Sequence, residues 1–268
     1  MLSWTGTPAS TLHYKDVVDV PFTVSDPQGQ RIFLALTPET AGVSLQGDAA
    51  IGYSLRVDAA ALGVGSHTLV ITAANEDHAQ ATLSLTVAVQ ANQAPVFGGE
   101  TPAYLVLDAP EESLTYPMWD WAADADGDAV TFSATLEDPA LAAIDLSANG
   151  ELTLTGLKSG TSILHLTASD GLLESHLDIP IAVRNPSRPV SLFPTVASGQ
   201  LTLTVDSVQT TNVSIDIYSA NGARVRSFER EGSLFSPVNI SVSSLAPGRY
   251  TLKATLGGAT YTLPFTKI

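Results

Sequence analysis

Apolar and polar residues alternate with a period of two along nearly the whole chain, and no stretch sustains the i, i+3, i+4, i+7 spacing of an amphipathic helix. Leu69, Ile71 and Ala73 alternate with Val70, Thr72 and Ala74; Leu83, Leu85, Val87 and Val89 with Ser84, Thr86 and Ala88. Further along, Leu201, Leu203 and Val205 alternate with threonines, and Val213, Ile215 and Ile217 with Ser214 and Asp216. Such residues stand on opposite faces of a strand, one inward and one toward water. Turn dipeptides punctuate the runs: Gln28-Gly29, Asn149-Gly150, Asn221-Gly222, Pro247-Gly248 and Gly257-Gly258. Short strands at this spacing predict an all-β chain built of sandwiches. Between its two flanking runs, Asn221-Gly222 predicts a type I′ hairpin, and Pro247-Gly248 a type II turn.

The alternation repeats on a larger scale. Gly65-Ser66-His67-Thr68-Leu69-Val70-Ile71-Thr72-Ala73 aligns with Gly160-Thr161-Ser162-Ile163-Leu164-His165-Leu166-Thr167-Ala168. Asp26-Pro27-Gln28-Gly29 aligns with Asp124-Ala125-Asp126-Gly127, and Leu83–Val89 with Leu177–Val183. Offsets of about 95 residues are the size of one sandwich rather than of a solenoid repeat. Leu69 and Leu164, and Ile71 and Leu166, should then occupy equivalent inward positions. Proline-bearing stretches at Asn92-Gln93-Ala94-Pro95 and Asn185-Pro186-Ser187-Arg188-Pro189 suit linkers. The expected division is three consecutive β-sandwich domains at 1–91, 92–186 and 187–268, the last outside the repeat.

Composition narrows the function. Twenty-seven acidic against twelve basic residues give a net charge of −15, which excludes a nucleic-acid partner or an anionic membrane surface. There is no cysteine, so disulfides, thiolate nucleophiles and Cys-bound zinc drop out. No apolar run reaches about 18 residues, the length a membrane-spanning helix needs. The opening Met1-Leu2-Ser3-Trp4 has neither a basic nor an apolar leader segment, so we expect no signal peptide here and read the chain as a fragment of a longer protein.

Two resemblances follow from these blocks. Asn92-Gln93-Ala94-Pro95-Val96-Phe97, Asp124-Ala125-Asp126-Gly127-Asp128 and Ala168-Ser169-Asp170-Gly171 resemble the linker, acidic turn and late hairpin of bacterial immunoglobulin-like and cadherin-like repeats. The last segment resembles the C-terminal sorting domain of the type IX secretion system of Bacteroidetes. The resemblance lies in Leu192-Phe193-Pro194, in Ile217-Tyr218-Ser219-Ala220-Asn221-Gly222, in Leu245-Ala246-Pro247-Gly248-Arg249-Tyr250, and in the closing Tyr261–Ile268. It implies a sorting motif comprising Tyr218, Gly222, Leu245, Pro247, Gly248, Tyr250 and Lys267. It further implies the type IX machinery as partner and a secreted or outer-membrane surface location.

The rest of the chain carries few groupings that suggest chemistry. There is no Gly-x-Ser-x-Gly elbow, His-Glu-x-x-His or phosphate-binding loop. None of His13, His67, His78, His165 and His176 has a metal-ligand spacing to another, and a half-exposed strand histidine is the simpler reading. Asp124, Asp126 and Asp128 place hard oxygen ligands at alternate positions, which suits calcium; Ala129 and Thr135 stand where an EF-hand loop needs Gly and Glu. The cadherin-like resemblance adds Asp170 as a further ligand. The alternative is a solvated acidic turn with no cofactor. Trp119 and Trp121 would share one face of a strand, as a platform for a sugar ring if exposed or as core if buried. Asp206-Ser207-Val208 resembles the sites that Bacteroidetes O-glycosylate, with Ser207 as acceptor. The resulting expectation is a non-catalytic surface or secreted protein. Its spacer or adhesion modules would meet a surface protein or glycan, ahead of an export module. The alternatives are the stalk of a secreted peptidase or glycoside hydrolase, and a carbohydrate-binding module.

Overall fold

The computed structural model describes residues 1–108 and 112–268 and separates into two compact units, Met1–Gln93 and Ala94–Ile268. Among the described residues nearly all of the regular structure is strand; the exceptions there are one helical turn at Ala59–Leu62 and a 3₁₀ turn at Met118–Asp120. No helix among the described residues is long and apolar enough to cross a membrane.

Met1–Gln93 is a pair of four-stranded sheets. One orders Leu2–Trp4, Val17–Val24, Gly52–Asp58 and Val43–Asp48. The other orders Thr11–His13, Gln80–Gln90, Gly65–Ala74 and Phe33–Leu36, with Thr11–His13 parallel to Gln80–Gln90. Their inner faces enclose Leu12, Phe22, Leu55, Val57, Leu69, Ile71, Val87 and Val89. The Val43–Asp48 hairpin needs glycine at 47. Its φ is +87°, and a Cβ there would lie 1.9 Å from the Gly52 carbonyl oxygen.

The first part of Ala94–Ile268 repeats that plan. Leu105–Asp108 runs parallel to Glu174–Arg184, followed by Gly160–Ser169 and Thr131–Leu136. Ser113–Pro117, Glu151–Gly156 and Ala142–Leu146 form the facing sheet. The repeat extends to register. Leu69 pairs with Leu85 and Ile71 with Leu83, while Leu164 pairs with Ile179 and Leu166 with Leu177. All four expected inward residues are buried, with Leu69 the most exposed at 3%. A one-residue slip would turn Leu164 and Leu166 outward and His165 and Thr167 inward. At about 1.5–3 kcal/mol per buried leucine, that alternative loses decisively.

Residues beyond 187 build a second hydrophobic cluster in the same unit. Val190–Phe193, Gln200–Val205 and Val238–Ser241 form one sheet. The other runs Val196–Ala197, Ala259–Lys267, Gly248–Leu256, Thr211–Ser219 and Arg224–Gly232. Leu201, Leu203, Val205, Ile215, Ile217 and Leu252 are fully buried between them. This cluster joins the preceding one through a polar knot. The Asp206 carboxylate, its side chain only 7% exposed, accepts the Asn185 N–H at 3.1 Å and lies 3.7 Å from Arg184 Nε. Arg184 also reaches Asp108 at 3.7 Å. The Asp206 N–H donates to the Pro189 carbonyl at 2.8 Å, and the rings of Tyr104 and Phe235 meet at 5.9 Å.

Both turn expectations near the chain end need correction. Asn221 does not take the positive φ that a type I′ turn demands; only Gly222 does, at +84°. Gly222 N–H donates to Ser219 O and Ser219 N–H to Ala223 O, each at 2.9 Å. The loop is therefore three residues long, a tight turn closed by a left-handed glycine. A register shift after Ile217 absorbs the extra residue. Gly248 sits at φ +158°, far from the +80° or so of a type II turn, because it already begins the strand Gly248–Leu256.

Candidate functional site

The implied sorting residues surround one end of the five-stranded sheet. Tyr250 stacks on Phe265 across the strand pair, with centroids 5.4 Å apart and planes at 16°. Its hydroxyl reaches back to donate to the Ala246 carbonyl at 2.8 Å. That bond ties the Leu245-Ala246-Pro247 bend to the strand that follows, and Leu245 packs against the core. Tyr218 lies on the opposite, outward face under Lys253, whose Nζ is 5.0 Å from the ring centroid. Lys267 is only 8% exposed, pairs with Gly248, and donates from Nζ to the Ile268 carbonyl. Nothing in the alternation announced a buried lysine. Arg226, unnoticed in the sequence, spans the two sheets by donating to the Ser241 carbonyl and, at 2.8 Å, to Ser244 Oγ.

The acidic turn is the second site. Asp124 Oδ1 accepts the N–H groups of Asp126 at 2.8 Å and Asp128 at 3.1 Å. Asp26 Oδ1 holds Gln28 and Gln30 in the same way at 2.9 and 3.1 Å, and Gly29 and Gly127 take φ of +72° and +77°. The two turns are thus the same device, and they differ at the other carboxylate oxygen. Asp26 Oδ2 receives the Asn75 side-chain amide at 3.1 Å. That bond, then the Gln30 N–H, holds the Asp26 carboxyl below its ordinary value. Asp124 Oδ2 is buried with no hydrogen-bond partner. The repeat places Asp170 where the first unit has Asn75, and a carboxylate has no N–H to give. Ligand oxygens of Asp124, Asp126 and Asp128 lie within 4.8 Å of one another. Asp170 turns Oδ1 to the N–H groups of Leu172 and Leu173, each at 2.7 Å.

The tryptophans do not form one platform. The 3₁₀ turn at Met118–Asp120 interrupts the alternation, so Trp121 turns inward, 4% exposed and 5.5 Å from Tyr116 by ring centroid. Trp119 alone faces water, 49% exposed, beside a shallow groove of about 360 Å³. Ser207 is half-buried and its hydroxyl donates to the Gln209 carbonyl at 2.7 Å, while Asp206 is engaged in the knot described above. His165 is exposed, and its Nδ1 lies 2.6 Å from Asp178 Oδ1 across the strand pair.

Residues 191–265 match the family model described as the secretion system C-terminal sorting domain. The resemblance to a type IX sorting module is thereby borne out, and that module marks a secreted or surface-displayed protein. No curated protein matches the chain. Among solved structures, an I-band fragment of titin is 13% identical with a TM-score of 0.33, the alignment covering 99% of this chain and 97% of that one. The human desmocollin-1 ectodomain is 11% identical at a TM-score of 0.32, covering 99% and 57%. An endo-fucoidan hydrolase of glycoside hydrolase family 107 is 15% identical at a TM-score of 0.31. The alignment covers 99% of this chain, which spans 44% of the hydrolase.

Proposed function

We propose that residues 187–268 are an export module read by the type IX machinery, and that 1–91 and 92–186 are non-catalytic spacer or adhesion modules carried with it. The observation that carries this reading is the family match over 191–265. It is supported by the way Leu245, Tyr250 and Lys267 knit one end of the sandwich together. A folded module of this kind can be moved to another passenger, and the test is whether it takes that passenger to the cell surface.

One atom favours a second reading, calcium binding at the acidic turn of the second module. The unpartnered oxygen of Asp124 and the Asn75-to-Asp170 exchange together describe a place where a hard cation can do what an amide does in the first module. Asp124, Asp126 and Asp128 would supply oxygens, with Asp170 completing the set. A ligand of the folded state stabilises by about 2.7 kcal/mol at a hundredfold excess over Kd, and each kcal/mol moves the midpoint of a unit this size by roughly 2–4 °C. Calorimetry of the whole chain should therefore show the transition of Ala94–Ile268 rising with millimolar calcium and that of Met1–Gln93 unmoved. Asp170→Asn supplies the missing donor, so it should raise the midpoint without calcium and abolish the response. An unchanged wild-type midpoint would leave a solvated acidic turn.

A further inference from the structure

The five-stranded sheet of the export module has two edges that differ in how they are guarded. Along Arg224–Gly232 the edge carries Arg224, Arg226, Glu229, Arg230 and Glu231, the usual protection against a stray strand. The other edge belongs to Ala259–Lys267, and Val196–Ala197 covers only its last residues. The N–H of Thr266 donates to Thr195 O at 2.8 Å and that of Ile268 to Ala197 O at 3.1 Å. Even-numbered residues of this strand therefore turn their backbone groups to the edge. By the same alternation Thr260 and Thr262 do so too, and among the described residues no strand pairs with them there. Pro264, with no N–H to offer, stands where the cover stops.

Beside the uncovered stretch lies a groove of about 570 Å³ whose other wall is Ser187–Leu192. Val190 and Leu192 sit on one side and Tyr261 and Leu263 on the other, and Arg188 supplies the charge of the lining. Residues 187–268 carry seven Lys and Arg against four Asp and Glu, whereas 1–186 carry five against twenty-three. An acidic segment is thus drawn to this module and repelled by the rest of the chain.

We propose that this groove receives an extended segment of a partner protein, added as a strand to the Thr260–Pro264 edge with a carboxylate of that segment on Arg188. Backbone hydrogen bonds to Thr260 and Thr262 supply the register, and the apolar floor takes alternate side chains. At about 3.3 Å per residue the stretch seats four or five residues. The proposal rests on the export reading of 187–268 and names the surface that the export partner grips.

The test uses the whole chain, carrying an added cleavable leader for entry to the periplasm and an N-terminal tag, in a type IX-competent host, with surface display as the readout. Thr262→Pro removes the edge N–H without touching a bond to Gly248–Leu256, and should abolish display at an unchanged melting midpoint. Thr262→Val keeps the N–H and should display as wild type. Should the proline variant not fold, Arg188→Glu alters no strand and should still reduce display. A photo-crosslinker at position 260 should trap a heterologous adduct that Arg188→Glu weakens. A wild-type chain that is displayed alongside an equally displayed proline or glutamate variant overturns this inference alone. A wild-type chain retained in the periplasm overturns the export reading and the docking surface with it. An adduct of twice the chain mass would make the occupant a second copy and overturn the assignment.

Discussion

Tyr250→Ala should open the sandwich beyond residue 187 and end its use as a signal. The side chain makes two separable contributions. Its ring stacks on Phe265 at 5.4 Å, and its hydroxyl pins the Ala246 carbonyl at 2.8 Å. Removing a packed aromatic ring costs about 3–5 kcal/mol, at the lower end here because Tyr250 is only partly buried. The lost hydrogen bond adds about 1 kcal/mol. Against a total of about 5–15 kcal/mol for a domain, that is a large fraction. Tyr250→Phe isolates the hydroxyl and should cost about 1 kcal/mol alone. Hydrogen exchange of peptides spanning Leu201–Val205 and Val213–Ile217 reads the difference directly. Equal protection in the Ala and Phe variants would show that the stack contributes nothing.

A second large effect is expected at the knot between the two clusters of Ala94–Ile268. Asp206→Ala strands the Asn185 N–H, which loses its acceptor at about 1–3 kcal/mol, and takes away the carboxylate that lies 3.7 Å from Arg184 Nε. The consequence is local, because the segment it frees is the connection itself. Trypsin acting on the native chain should spare the Arg184–Asn185 bond in the wild type and cut it in the variant, releasing 185–268. Asp206→Asn keeps an acceptor for Asn185 and should fall between the two. Cleavage at one rate in all three would mean that the connection is open regardless of Asp206.

Much of this architecture was legible in the sequence because its alternation and its repeat are redundant. Leu69 and Leu164 are identified as inward twice, once by period two and once by the alignment, and both are buried. The family blocks likewise fell on residues that the structure draws together, such as Leu245, Ala246 and Tyr250. What escaped was set by loop length and by distant partners. Asn221-Gly222 is compatible with a two-residue and a three-residue loop, and the register shift at Ile217 that decides between them belongs to the neighbouring strand. Trp119 and Trp121 look like strand neighbours until the turn at Met118–Asp120 rotates one of them into the core. The unpartnered oxygen of Asp124 became visible only against Asn75, through a contact 49 residues from Asp26. The Arg184–Asp206 knot joins residues whose proximity no local pattern encodes.

Residues 187–268 are proposed above to act as the export module. The most direct test of that role fuses them to an inert periplasmic protein and measures the fraction reachable by protease added outside intact cells. The host is compared with its twin lacking a working type IX system. The passenger should become accessible in the first host and stay protected in the second. A passenger protected in both, or exposed in both, would contradict that role.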